Sequence, residues 1–266
     1  MLRRPTAVNG HPPHLATRRT DRIVDATRTT SIATGALLIV ATVAAVAAAA
    51  FEPALTGTDY LTEVAQHPGR LAAVALLYLI AAGTSVSIAI ALYRPLKKIN
   101  ASFALGSVVF RTIEAVFYAA AVVSLLSVLH LGQKLDRAPA EDAAAIQAIA
   151  DSLLSMRDLF TLVGVSAFCV GALLYYALFY RSRLIPRWLS AWGVAATLVM
   201  LSACGLALFN GRPVTGYTFL ILPIAVQELV LAVWLLAKGF IALPQAFSPS
   251  TDGSTVLNGP TETVVT

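Results

Sequence analysis

Charge is scarce in this chain. Only 12% of its 266 residues are charged while 58% are hydrophobic, about half the charge usual in a soluble domain. So few charges cannot cover a globular surface of that greasiness, and the same composition excludes an intrinsically disordered chain. Cysteine is rarer still. Cys169 and Cys204 both lie in apolar runs without a C-x-x-C or C-x-x-H spacing, which leaves no disulfide scaffold and no zinc motif. The four histidines (His11, His14, His67 and His130) all lie away from the centres of the apolar runs, so paired histidine ligation of a haem inside a bundle is not available. H-E-x-x-H, G-x-S-x-G and Walker lysine motifs are absent, and no catalytic residue, cofactor or metal site is expected. A non-enzymatic protein is the favoured reading; an intramembrane enzyme using a buried carboxyl stays open.

What is present is hydrophobicity in long blocks, with a mean hydropathy of +0.76. A helix needs about 20 apolar residues to cross a bilayer, and six runs qualify: 31–51, 71–93, 101–129, 159–180, 188–209 and 217–236. Backbone amides cannot stay unpaired in lipid, so each run is read as a helix. The expected fold is an all-α polytopic bundle of six transmembrane helices over 29–240. Residues 1–28 are expected to be a disordered basic tail and 241–266 a disordered polar one. Ala48-Ala49-Ala50 resembles a signal cleavage site. The preceding basic stretch is too long for an ordinary leader, however, and the run is long enough to span.

The net charge of +5 fits membrane orientation better than nucleic-acid binding, because the cations cluster beside the runs. Six Lys and Arg residues precede the first span, three lie in each of the turns 94–100 and 181–187, and one follows the last span. The opposite face holds five: Arg70, Lys134, Arg137, Arg157 and Arg212. The richer side belongs in the cytoplasm, so both termini are expected inside, in the plasma membrane. Tyr175, Tyr176, Phe179, Tyr180, Trp188 and Trp192 flank the second basic turn and read as interfacial anchors. Segment 139–156 places Ile146, Ile149, Leu153 and Leu154 at helical spacing. It is expected to form an amphipathic external helix leading into the fourth span, either a cap on the bundle or a lid.

Three ionisable residues interrupt the spans: Arg111, Glu114 and Glu228. A charge at a helix centre costs about 2.5–3.5 kcal/mol on insertion scales, so such residues face partners or wet cavities. Arg111 and Glu114 share a helix face at i,i+3. Counting about 1.5 Å per residue from the basic ends puts Arg111 and Glu228 within about one turn of the same depth. These positions predict an Arg111–Glu114–Glu228 cluster, with Gln227 nearby. One cation against two carboxylates leaves a negative charge, which a proton or another cation can cancel. Pro223 is expected to free a backbone carbonyl near this site. Small-residue pairs Gly83/Ser87, Ala167/Gly171 and Ser202/Gly205 predict close helix contacts.

Three stretches, LYRPLKKINASFALGSVVFRTIEAVFY (92–118), LFYRSRLIPRWLSAWG (178–193) and LPIAVQELVLAVWLLAKGF (222–240), resemble the bacterial membrane family known as domain of unknown function 4386. The resemblance spans about 28–240 and rests on the R-x-x-E of Arg111 and Glu114, the S-R-L-I-P-R-W-L-S block, and the E-x-x-x-x-x-W-L preceding K-G-F. Pro95 departs from the expected pattern, in what reads as a turn. The resemblance implies a polytopic bacterial membrane protein and no assigned activity. Besides the lipid bilayer, the partner expected at the charge cluster is a small molecule or ion: an anionic or polar ligand held by Arg111, or a proton or cation carried by the carboxylates. The alternatives are a structural or accessory subunit whose charges fix helix register, and a small transporter or proton-coupled carrier.

Overall fold

The computed structural model describes the backbone of residues 13–241 apart from 58 and 136, with side chains from Arg28 onward except that of Ala140. Seven α-helices follow in order: α1 (Pro13–Phe51), α2 (Tyr60–Gln66), α3 (Pro68–Leu96), α4 (Ala101–Leu135), α5 (Ala143–Ser182), α6 (Arg187–Asn210) and α7 (Thr218–Ala237). Short 3-10 turns precede α5 and α7. Six of the helices are long and apolar enough to cross a membrane.

Each spanning helix packs against the next, and α7 returns against α1, so the six form a closed ring in chain order. Large apolar side chains such as Phe209 and Phe219 point outward; in a bilayer their partner is lipid rather than water. α5 is the most enclosed of the spanning helices, with 61% of its most apolar stretch buried against 33–39% for the others. The ring closes at its basic end through α1. Arg28 Nη2 donates to Leu236 O at 2.8 Å and Ser31 Oγ to Leu235 O at 2.7 Å. These bonds satisfy carbonyls that the last turn of α7 leaves without helical donors. Gly239 then takes a left-handed φ of 76°, and the chain turns so that Ile241 N donates to Leu184 O.

Several boundaries differ from those expected. Residues 13–28, read as disordered, continue α1 toward its start. Pro13 suits a first helical turn, no further proline or glycine interrupts the stretch up to the span, and extending an existing helix costs little. Residues 1–12 and the C-terminal tail from 242 lie outside the described residues. Pro95 lies within the last turn of α3 rather than in the turn after it. Asn100 Oδ1 then accepts a bond from Phe103 N at 3.0 Å, opening α4.

From Ala143 onward the external segment is the first part of α5 and continues directly into the fourth span. Ile146 and Ala150 are buried against Tyr60, Leu61 and Val128, whereas Ile149 is exposed. The unforeseen partner is α2, an amphipathic helix of seven residues, about two turns, too short for its periodicity to be read. Tyr60 OH donates to Asp151 Oδ1 at 2.7 Å. Burial, reinforced by that carboxylate, pushes the Tyr60 phenol above its ordinary pKa.

α2 rests on Gly132 of α4, where an added Cβ would lie 2.8 Å from Leu61 O. Backbone cannot swing aside as a side chain can. Gly132→Ala is therefore expected to lift α2 off α4 while leaving the spans intact. Amide hydrogen exchange in Tyr60–Gln66 should accelerate about tenfold, the lower end of an overpacking cost of about 1–3 kcal/mol. Unchanged exchange there would contradict the packing.

Candidate functional site

Five helices converge on Arg111. On α4 it stands one turn before Glu114, and its Nη1 donates to Glu114 Oε2 at 3.0 Å. Its Nη2 lies 3.8 Å from Glu228 Oε1 on α7. α3 contributes Ser85, whose Oγ donates to Glu114 Oε2 at 2.8 Å. α1 contributes Thr42, whose Oγ1 donates to Glu228 Oε2 at 3.3 Å. α5 supplies an aromatic wall: the guanidinium carbon lies 4.3 Å from the Phe168 ring centroid and 5.8 Å from that of Tyr175. Flat cations favour such faces.

The guanidinium reaches this position because Gly171 has no side chain. A Cβ there would stand 3.2 Å from Arg111 Cγ and 3.3 Å from Phe110 Cβ. Arg111, Glu114 and Glu228 are 2%, 4% and 9% exposed, so the whole group is withdrawn from lipid and bulk water. Several polar atoms in this region remain without a hydrogen bond, among them Arg111 Nε, Tyr175 OH and Glu228 Oε1. An unpaired buried polar atom costs about 1–3 kcal/mol.

The structure thus brings together Arg111, Glu114 and Glu228. Gln227 belongs elsewhere. It is wholly buried, its Oε1 accepts a hydrogen bond from Tyr176 OH, and its Nε2 donates to Leu189 O at 3.2 Å. That lock ties α5, α6 and α7 one helix face away from the charges, because successive residues of a helix point about 100° apart. Pro223 also contributes less than expected. The carbonyl it deprives of a donor is that of Phe219, near the start of α7 and about 13 Å along the helix from Glu228.

Tyr175, Tyr176 and Phe179 are not interfacial anchors. All three are essentially buried, and they pack on one another. Tyr180 and Trp188 are the exposed members, with Arg187 over the Tyr180 ring and Trp188 stacked on Trp192. Of the small-residue pairs, only Ala167/Gly171 forms a close contact. An added Cβ at Gly83 or Gly205 would meet nothing within 4 Å, so those positions do not mark tight helix seams.

The sequence alone does not single out Thr42, Ser85, Phe168 or the role of Gly171. Hydroxyls in apolar helices are too common to stand out, since most bond their own backbone, as Ser87 and Thr112 do here. Among the described residues no group of three or more metal-ligating side chains comes together.

No curated protein and no solved structure matches the chain. The family described as Domain of unknown function (DUF4386) matches residues 33–239, which include all three charges of the cluster. An all-helical, six-span protein with those residues drawn inward belongs to the DUF4386 family.

Proposed function

We propose that this is a non-enzymatic protein of the plasma membrane, with both termini cytoplasmic, that binds or senses a small cation at the Arg111–Glu114–Glu228 cluster. The ligand class is a unit positive charge, either a proton or a monovalent metal ion. One observation carries the reading: one guanidinium faces two carboxylates, all nine-tenths buried or more, and Glu228 Oε1 has no hydrogen bond. If all three are ionised, one negative charge is buried without compensation, which costs several kcal/mol even after relaxation. A bound cation removes that cost. The orientation is supported by the clustering of Lys and Arg at the end where α1 begins and α7 finishes.

The competing reading is a clamp that only holds the helices in register, and the Ser85 and Thr42 bonds favour it. Cation uptake by the reconstituted protein separates the two. With an indicator dye for protons, and Na+ or K+ varied at fixed pH for metal ions, the wild type is expected to take up about one unit charge, as the charge count requires. Glu228→Gln should abolish that uptake while the protein remains folded. A wild type that takes up neither protons nor metal ions, yet melts cooperatively, refutes the binding site and leaves the clamp.

A further inference from the structure

We propose that the cation reaches Glu114 through a second, unassigned site: a small cavity at the end of the bundle opposite the basic turns, closed below by the Tyr78–Tyr118 pair. This route rests on the cation-binding reading above. The cavity measures about 30 Å³ and is lined by Glu52, Arg157, Asp158, Tyr78, Tyr118 and Ala121, among others. That volume holds about two water molecules.

Its charges match those of the buried cluster. Arg157 Nη1 pairs with Glu52 Oε1, and its Nη2 and Nε lie 2.8 and 3.1 Å from Asp158 Oδ1. Tyr78 OH donates to Glu52 Oε2 at 2.9 Å. One guanidinium and two carboxylates again leave a negative excess, here partly exposed. A cavity with negative excess and low-dielectric walls concentrates cations.

The placement of the cavity connects it to the cluster. Tyr118 lines it and stands one turn, about 6 Å, from Glu114 on the same face of α4. Tyr78 stands two turns from Ser85 along α3, and Ser85 holds Glu114. The two tyrosine rings stack across the gap, with centroids 6.4 Å apart and planes at 17°. They form the partition between the cavity and the carboxylate. Both hydrogen bonds to Glu114, one of them its ion pair with Arg111, fall on Oε2, so among the described residues Oε1 is left to receive an incoming cation.

The full chain in proteoliposomes provides the test, with Cys169 and Cys204 replaced by alanine and Ag+ as the probe. Ag+ is a bare cation small enough for the cavity and reacts with thiols. Ala121→Cys should react at least tenfold faster than Ala196→Cys, which is also buried (2% exposed against 6%) but away from the cavity, and only with Ag+ on the Glu52 side. Once Ag+ occupies Cys at position 121, cation uptake by the cluster should slow at least tenfold, and Tyr118→Ala should speed uptake in the unplugged protein. Uptake that persists at the wild-type rate after plugging overturns the route and leaves the binding site standing. A wild type without any uptake overturns the binding site and the route together. Equal Ag+ reactivity at positions 121 and 196 also overturns the route.

Discussion

Replacing Arg111 with leucine is expected to lower the melting temperature of the purified protein by about 10 °C, whatever the cluster does in the cell. The substitution leaves Glu114 and Glu228 facing each other in a dry interior. Breaking a buried ion pair from one side costs about 3–5 kcal/mol, and each kcal/mol moves the midpoint of a protein this size by about 2–4 °C. Phe168 also loses the cation on its face, and Gly171 loses the stem packed against it. Arg111→Lys should recover only part of the stability, since an ammonium cannot reach both carboxylates in a planar fork while lying on an aromatic ring. Simultaneous apolar replacement of Arg111, Glu114 and Glu228 should return the midpoint close to that of the wild type, because no charge is then stranded. Thermal unfolding in one detergent measures all three. Wild-type melting of the single Arg111→Leu variant would mean that the carboxylates never depended on the guanidinium.

Gly193→Ala is the second large effect expected, and it acts at the neighbouring lock. An added Cβ would stand 2.5–2.7 Å from three carbons of the Tyr176 ring, and that ring has no exposed surface through which to escape. Moving it would break its bond to Gln227, leaving a wholly buried amide short of a partner. Alanine improves the helix by about 1 kcal/mol over glycine. Overpacking costs about 1–3 kcal/mol and the orphaned amide about 1–3 kcal/mol more. The net loss of about 3 kcal/mol should appear as a drop of about 9 °C. Gly205→Ala on the same helix, where a Cβ meets nothing within 4 Å, should instead be neutral or slightly stabilising. Combining Gly193→Ala with Tyr176→Leu should cost less than the sum of the two singles. Additive losses would show that the ring and the glycine do not compete for the same space.

Both predictions depend on helix rotation, which shows how unevenly the sequence reports on this protein. The charge cluster was legible because its cost is local: an arginine in a run of apolar residues needs a partner wherever its helix lies. Counting residues inward from the basic turns then placed Arg111 and Glu228 at one level. Gln227 has no such cost to locate it, and its neighbour in sequence was a poor guide to its neighbour in space. Aromatic residues near a basic turn often lie at the interface, and the sequence alone places Tyr175 and Tyr176 there. Their direction around α5 sends them inward instead, where Gln227, Gly193 and Arg111 provide the polar bonds, space and charge that suit tyrosine.

The membrane class, the six spans and the three costly charges were determined by the amino-acid sequence alone, because hydropathy and the penalty for a buried charge are sums along the chain. Only the tertiary structure decided which face of each helix turns inward, and therefore the closed ring, the Thr42 and Ser85 bonds, the Tyr176–Gln227 lock and the cavity above Glu114. The physical reason is the solvent. In water an amphipathic stripe marks the buried side of a helix, whereas lipid tails are as apolar as a protein core, so a helix greasy all round carries no such mark. Its rotation is set by shape and by a few hydrogen bonds, and those exist only once the helices have met.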